Sequence, residues 1–137
     1  MTRIMGLDPG ERRVGVALSD ELGVLATPLV VLERRSRAVD LSVVAELVQR
    51  HGVTEVVVGH PRTLRGEVGL QARRAERFAA EVGETVGIPV RLWDERYSTV
   101  EAVERLARDG KRPRGRRPHP DAAAAAVILQ GYLDSRR

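Results

Sequence analysis

Apolar and polar positions along this chain change their period several times, and each change marks an element. Residues 3–8 are mostly apolar and run into Asp8-Pro9-Gly10, a turn signal that closes a short strand. Arg13 to Ser19 reads as a second strand, paired with the first through the turn at 9–12. A third covers Thr27 to Glu33, its start restricted by Pro28. Gly6 and Gly15 could allow close backbone approach at facing positions. The period then becomes helical: Val39, Val43, Val44, Leu47 and Val48 predict an amphipathic helix from about Arg37 to His51, stopped by Gly52. Thr54 to Gly59 is a short apolar run of the kind found in buried parallel strands. Leu70 to Val86 predicts a second helix, with Ala72, Ala75, Phe78, Ala79 and Val82 on one face. Gly87-Ile88-Pro89 resets the chain for a strand at Val90–Asp94. A third helix is expected from about Ser98 to Arg108, and a last one from Asp121 to about Asp134. The order β-β-β-α-β-α-β-α-α predicts an α/β fold: an antiparallel meander continued by right-handed crossovers into a mixed sheet with helices on its faces.

Composition narrows this picture. A chain of 137 residues with 42% hydrophobic and 31% charged positions fits one soluble domain spanning 1–137. Aromatic residues make up only 3%, so Val, Leu, Ala and Ile must build the core. With no cysteine, disulfides, thiol nucleophiles and cysteine-ligated zinc are excluded. The first strand begins at Thr2 or Arg3, leaving no room for a signal peptide, and no apolar run approaches spanning length. A cytoplasmic protein without a membrane partner is expected. The net charge is +4, but residues 111–117 alone carry five positive charges and no negative one, leaving the rest of the chain at −1. Basicity gathered into Lys111, Arg112, Arg114, Arg116 and Arg117 points to a local grip on a polyanion, with a solvated loop as the plainer alternative.

Three acids stand at element ends: Asp8 after the first strand, Glu95 after the Val90–Asp94 strand, and Asp121 at the start of the terminal helix. Ligands of open α/β sheets bind beyond the carboxyl ends of the strands, where Asp8 and Glu95 should sit. Ala122 to Ala126 would let the last helix lie close to the sheet and bring Asp121 within reach. Carboxylates gathered in this way suit hard divalent cations, Mg²⁺ or Mn²⁺, and two such ions can drive phosphodiester cleavage. Each acid also has a simpler use. Asp8 can cap its turn, Asp121 its helix, and Glu95 can pair with Arg96 or Arg91.

The residues themselves resemble a known family. Gly6-Leu7-Asp8-Pro9-Gly10 followed by Arg13 to Asp20, then Val57-Val58-Gly59-His60-Pro61 with Gly66 and Gly69, is similar to the opening of the YqgF/RuvX family of pre-16S rRNA nucleases and Holliday-junction-resolvase homologues. Asp94-Glu95-Arg96-Tyr97-Ser98-Thr99 and Asp121 to Leu133 continue the resemblance over almost the whole chain. It implies a ribonuclease H-like fold, a five-stranded mixed sheet flanked by helices. It also implies metal-dependent nuclease chemistry with Asp8, Glu95 and Asp121 as the metal-binding catalytic acids. Asp94 ranks second, because neighbours in an extended chain face opposite sides. The chain departs from the family pattern in having His60 where Leu is common, and Tyr97 after Arg96. His60 is expected to pack or contact backbone, with phosphate or leaving-group contact as its alternative.

Further phosphate contacts are expected from Arg62 and Arg65 in the Pro61–Gly69 loop, at a helix N-terminus, and from Arg12 or Arg13 after Asp8. An ordinary loop and surface ion pairs are the alternatives. The leading expectation is a metal-dependent nuclease acting on ribosomal RNA precursor or on branched DNA. The competing ones are a non-catalytic nucleic-acid-binding module and a nucleotide-binding domain of the sugar-kinase/actin type, for which 137 residues leave no second lobe. A monomer suffices to process one RNA end, whereas paired cuts at a two-fold junction favour a homodimer.

Overall fold

The central strands are apolar on both sides because both of their faces are covered. The computed structural model describes residues 2–61, 65–95 and 120–136. The helix expected at Ser98–Arg108, Arg62 and the basic segment 111–117 lie outside them. The described elements are β1 (Arg3–Pro9), β2 (Arg13–Ser19), β3 (Ala26–Glu33), α1 (Arg37–Arg50), β4 (Val53–His60), α2 (Leu70–Val86), β5 (Val90–Asp94) and α3 (Pro120–Ser135). The five strands form one sheet in the order β3-β2-β1-β4-β5. β1, β2 and β3 pair antiparallel, while β4 and β5 run parallel to β1.

One side of the sheet is closed by α1 and α2. Met5, Leu7, Val56 and Val58 pack there against Val44, Leu47, Ala75 and Phe78. All five residues expected on the inner face of α2 are buried, whereas Val39 of α1 remains 43% exposed, one turn past the Ser36 cap. Ser36 accepts the Val39 N–H and Gly87 closes α2 in the left-handed region at φ 69°.

Among the described elements, α3 closes the other side. Ala122, Ala125, Ala126, Ile128, Leu129 and Leu133 are buried against Ile4, Ala17, Ala26 and Val57. The approach is very close at Gly6, where an added Cβ would stand 2.8 Å from the Leu129 Cβ and 3.1 Å from the Ala125 carbonyl. Gly6 does not face Gly15, as the spacing had suggested. The register pairs Gly6 with Ala17 and Gly15 with Asp8, so it is the helix that approaches Gly6. The buried Gln130 fastens α3 further along, accepting the Ala26 N–H at 2.9 Å and donating to the Val24 carbonyl at 2.9 Å.

Gly6→Ala must push α3 outward and is expected to lower unfolding stability by about 1–3 kcal/mol, the range for overpacking a tight core. A urea denaturation series checks this.

Candidate active site

Strand alternation decides which side chains share a face. In β1, Met5 and Leu7 point to α1 and α2, so Ile4, Gly6 and Asp8 point to the α3 side. In β4 the same logic sends Val57 and Gly59 toward α3. The pairing of Leu7 with Val58 makes Gly59 the next-door neighbour of Asp8. β5 pairs Trp93 with Gly59 and Asp94 with His60. Trp93 therefore packs on the α3 side, edge-on to Tyr132, while Asp94 faces away from it.

Glu95 follows β5 and returns to the α3 side. Its Oε1 lies 2.7 Å from the point a Cβ on Gly59 would occupy, and the Ile128 Cδ1 lies 2.6 Å from that point. Gly59 is thus a floor on which the Glu95 carboxylate rests. Burial, together with the negative charges of Asp8 and then Asp94, pushes the Glu95 carboxyl up to about 7. Asp8 and Glu95 consequently share one electrostatic site at the carboxyl ends of β1 and β5.

α3 brings its N-terminus to this end. Ala125 is level with Gly6, and Gln130 with Ala26 at the opposite end of the sheet. From Ala125 back to Asp121 the helix rises about 6 Å. From Gly6 on to Asp8 the strand advances about 7 Å. The backbone of Asp121 in the first turn of α3 therefore stands level with Asp8, and the positive end of the helix dipole favours anions there.

This arrangement fits a divalent cation. The donors are hard carboxylate oxygens, and the Glu95 carboxyl is held up by burial and then by the negative charges of Asp8 and Asp94, a repulsion that a cation would relieve. Among the described side chains, no three His, Asp or Glu already surround one point.

Comparison with known proteins identifies the lineage. The sequence profile of the RuvX family, described as Holliday junction resolvase, matches residues 2–135. The chain belongs to the RuvX family. A relative from Syntrophus aciditrophicus, provisionally named pre-16S rRNA nuclease, is 47% identical across 97% of this chain and 89% of its own. One of the same name from Moorella thermoacetica is 48% identical across 96% and 94%. Among solved structures, T. thermophilus RuvC in complex with a Holliday junction substrate superposes with a TM-score of 0.69 at 18% identity, over 99% of this chain and 96% of that one. Fowlpox virus resolvase with junction DNA gives 0.62 at 10% identity, over 98% and 99%. These likenesses show the fold: the RuvX chain is ribonuclease H-like.

Other expected site residues of this RuvX protein are scattered. His60 is buried on the α2 side, where its Nε2 lies 2.9 Å from Glu76 Oε2, on the sheet face opposite to Asp8. Arg13 makes an exposed ion pair with Glu33 at 3.3 Å, and Arg12 and Arg65 are exposed. Arg91, considered as a partner for Glu95, instead donates to Glu55 at 2.7 Å. Glu55 also receives the Tyr132 hydroxyl, and Arg136 at 3.2 Å, at the far end of α3. Two functions were missed in reading the chain. Gly59 as the floor of Glu95 had a signal, a glycine interrupting a buried valine run. The Glu55 cluster had none, since its members are far apart in sequence.

Because folding raises the Glu95 pKa, its ionisation costs stability that is absent below about 4.5, grows across the interval to about 7 and is complete above it. In EDTA, Glu95→Gln is expected to melt higher than the wild type at about pH 8, with the gap closing toward about pH 4.5. Thermal melts across that range check the sign.

Proposed function

We propose that this protein is a metal-dependent nuclease that trims the 5′ end of pre-16S rRNA, with Asp8, Glu95 and Asp121 as its catalytic acids. The observation that carries this reading is the placement of Asp8 and Glu95 on one face of the sheet, at the carboxyl ends of β1 and β5 and under the N-terminal turn of α3. Membership of the RuvX family supports the nuclease chemistry, and the names of the two bacterial relatives support ribosomal RNA as substrate.

In this reading Asp8 and Glu95, with Asp121, hold Mg²⁺ or Mn²⁺, in a pair of ions. When bound, the metal supplies Lewis acidity that activates the attacking water and stabilises the leaving oxygen. The protein's part is to fix carboxylate positions at the strand ends, with Gly59 leaving the room that the Glu95 carboxylate occupies. Glu95 carries a proton below about pH 7 and gives it up to accommodate a cation. The basic segment Lys111 to Arg117, with Arg62 and Arg65, would hold the nucleic-acid backbone.

The family description favours a second reading, resolution of four-way DNA junctions. A cleavage panel of precursor RNA ends, four-way junctions, single strands and duplexes separates the two. Cutting of precursor RNA ends is expected, and a panel in which only junctions are cut would overturn the ribosomal assignment. Asp8→Asn should reduce cleavage at least about a hundredfold with the fold intact; unchanged activity in that variant would remove Asp8 from the site. Mn²⁺ affinity, followed by calorimetry, should rise as pH increases through about 7. Glu95→Gln should flatten that dependence.

A further inference from the structure

On the sheet face opposite the acids, three elements turn arginines toward one another. Arg34 and Arg35 follow β3, Arg37 opens α1, and Arg74 and Arg77 lie one helical turn apart on α2. With the β1–β2 turn they border two hollows of about 280 and 440 Å³ that have Glu11, Arg34, Arg77, Phe78 and Glu81 in common. The acids in these walls are partly committed. Glu81 pairs with Arg37, and Asp40 accepts the Arg35 backbone N–H at 3.0 Å. Glu11 lies in the turn itself.

Five guanidinium groups facing three carboxylates leave a positive cleft. Arg34 lies over the Phe78 ring, 4.9 Å from its centroid, and among the described residues its buried Nε has no hydrogen-bond partner. Arg74 and Arg77 are exposed, and no described carboxylate pairs with either. The exposed, planar guanidinium forks of Arg74 and Arg77 match phosphodiester oxygens two at a time, with the Arg34 guanidinium adding charge behind them.

The location ties this cleft to the acids. Pro9 and Gly10 line it, directly after Asp8. At about 3.3 Å per residue, Gly10 stands about 7 Å from Asp8. A strand held at Asp8 thus meets the cleft on passing over the β1–β2 turn. This continuity favours nucleic acid over an acidic protein as the occupant.

We propose that the Arg34–Arg74–Arg77 cleft is a second backbone subsite, which takes the substrate strand after it crosses the β1–β2 turn. The identity of that strand rests on the nuclease reading, but binding can be measured without cleavage. The probe is a fluorescein-labelled precursor RNA spanning the 16S 5′ end, titrated by anisotropy in EDTA against Asp8→Asn protein. Adding Arg74→Glu with Arg77→Glu should weaken binding about tenfold or more and flatten the slope of log affinity against log salt by about 1–2. Arg77→Gln alone should give a smaller loss in the same direction. Arg50→Glu, on a residue paired with Glu46 at the other end of α1, should leave affinity unchanged. In cleavage assays with Asp8 intact, the same Arg74/Arg77 reversal should raise KM while kcat holds. Unaltered affinity and slope in folded Arg74/Arg77 variants, or an equal loss in Arg50→Glu, would overturn the subsite. If the RNA binds as described but the wild type cleaves nothing with any metal, the nuclease reading fails and the subsite stands.

Discussion

The close seating of α3 on the sheet governs the rest of the molecule. Only a strand position without a side chain lets the Leu129 Cβ and the Ala125 carbonyl come so near β1, and Gly6 supplies it. Alanines at 122, 125 and 126 keep the helix side of the contact equally thin. A bulkier interface would lift α3 and withdraw its first turn from the strand ends. The same thinness at Gly59 makes room for Glu95. Small residues thus do two jobs here: they build half of the core and set the height at which the acids meet.

That height has an electrostatic cost. Partial burial strips water from the Glu95 carboxylate, and the negative charges of Asp8 and then Asp94 repel it further. The structure tolerates the strain because it is confined to one end. At the other end, Glu55 is neutralised by Arg91 and Arg136 and receives the Tyr132 hydroxyl. α3 is therefore held firmly by its C-terminal half, through Glu55 and Gln130, while its N-terminal half faces the unbalanced charge. Stability is concentrated where no chemistry is proposed, as expected when a site stores unfavourable interactions.

Local pattern carried much of this information. The α2 boundaries and its five buried residues, and the limits of β2 and β5, are legible because helix and strand periods are properties of short windows. Alternation predicts opposite facing for Asp94 and Glu95, and the structure sets Asp94 beside His60 and Glu95 over Gly59. Register was not legible: that Gly15 opposes Asp8, and that Gly59 sits beside it, depends on pairing between distant segments. His60 shows the same limit. A histidine closing an apolar strand reads as a packing or backbone-contact residue with phosphate contact as its alternative, and only the strand's facing sends it to Glu76. The arginine cleft was invisible for the same reason, since its members come from separate elements that look like ordinary solvated surface.

The distance along the chain between the partners has a kinetic meaning. Ala26 and Gln130, which lock α3 to the sheet, are 104 positions apart, and the Gly6–Leu129 contact spans still more. Such contacts are expensive in loop entropy and form late in folding. A chain emerging from the ribosome would present Asp8 early, on a strand whose second face is still bare, and would receive the α3 cover only after all five strands had been made. Under the proposed reading, competence to cut is in this way tied to the seating of α3: a half-made chain has its first acid but not the helix that covers it.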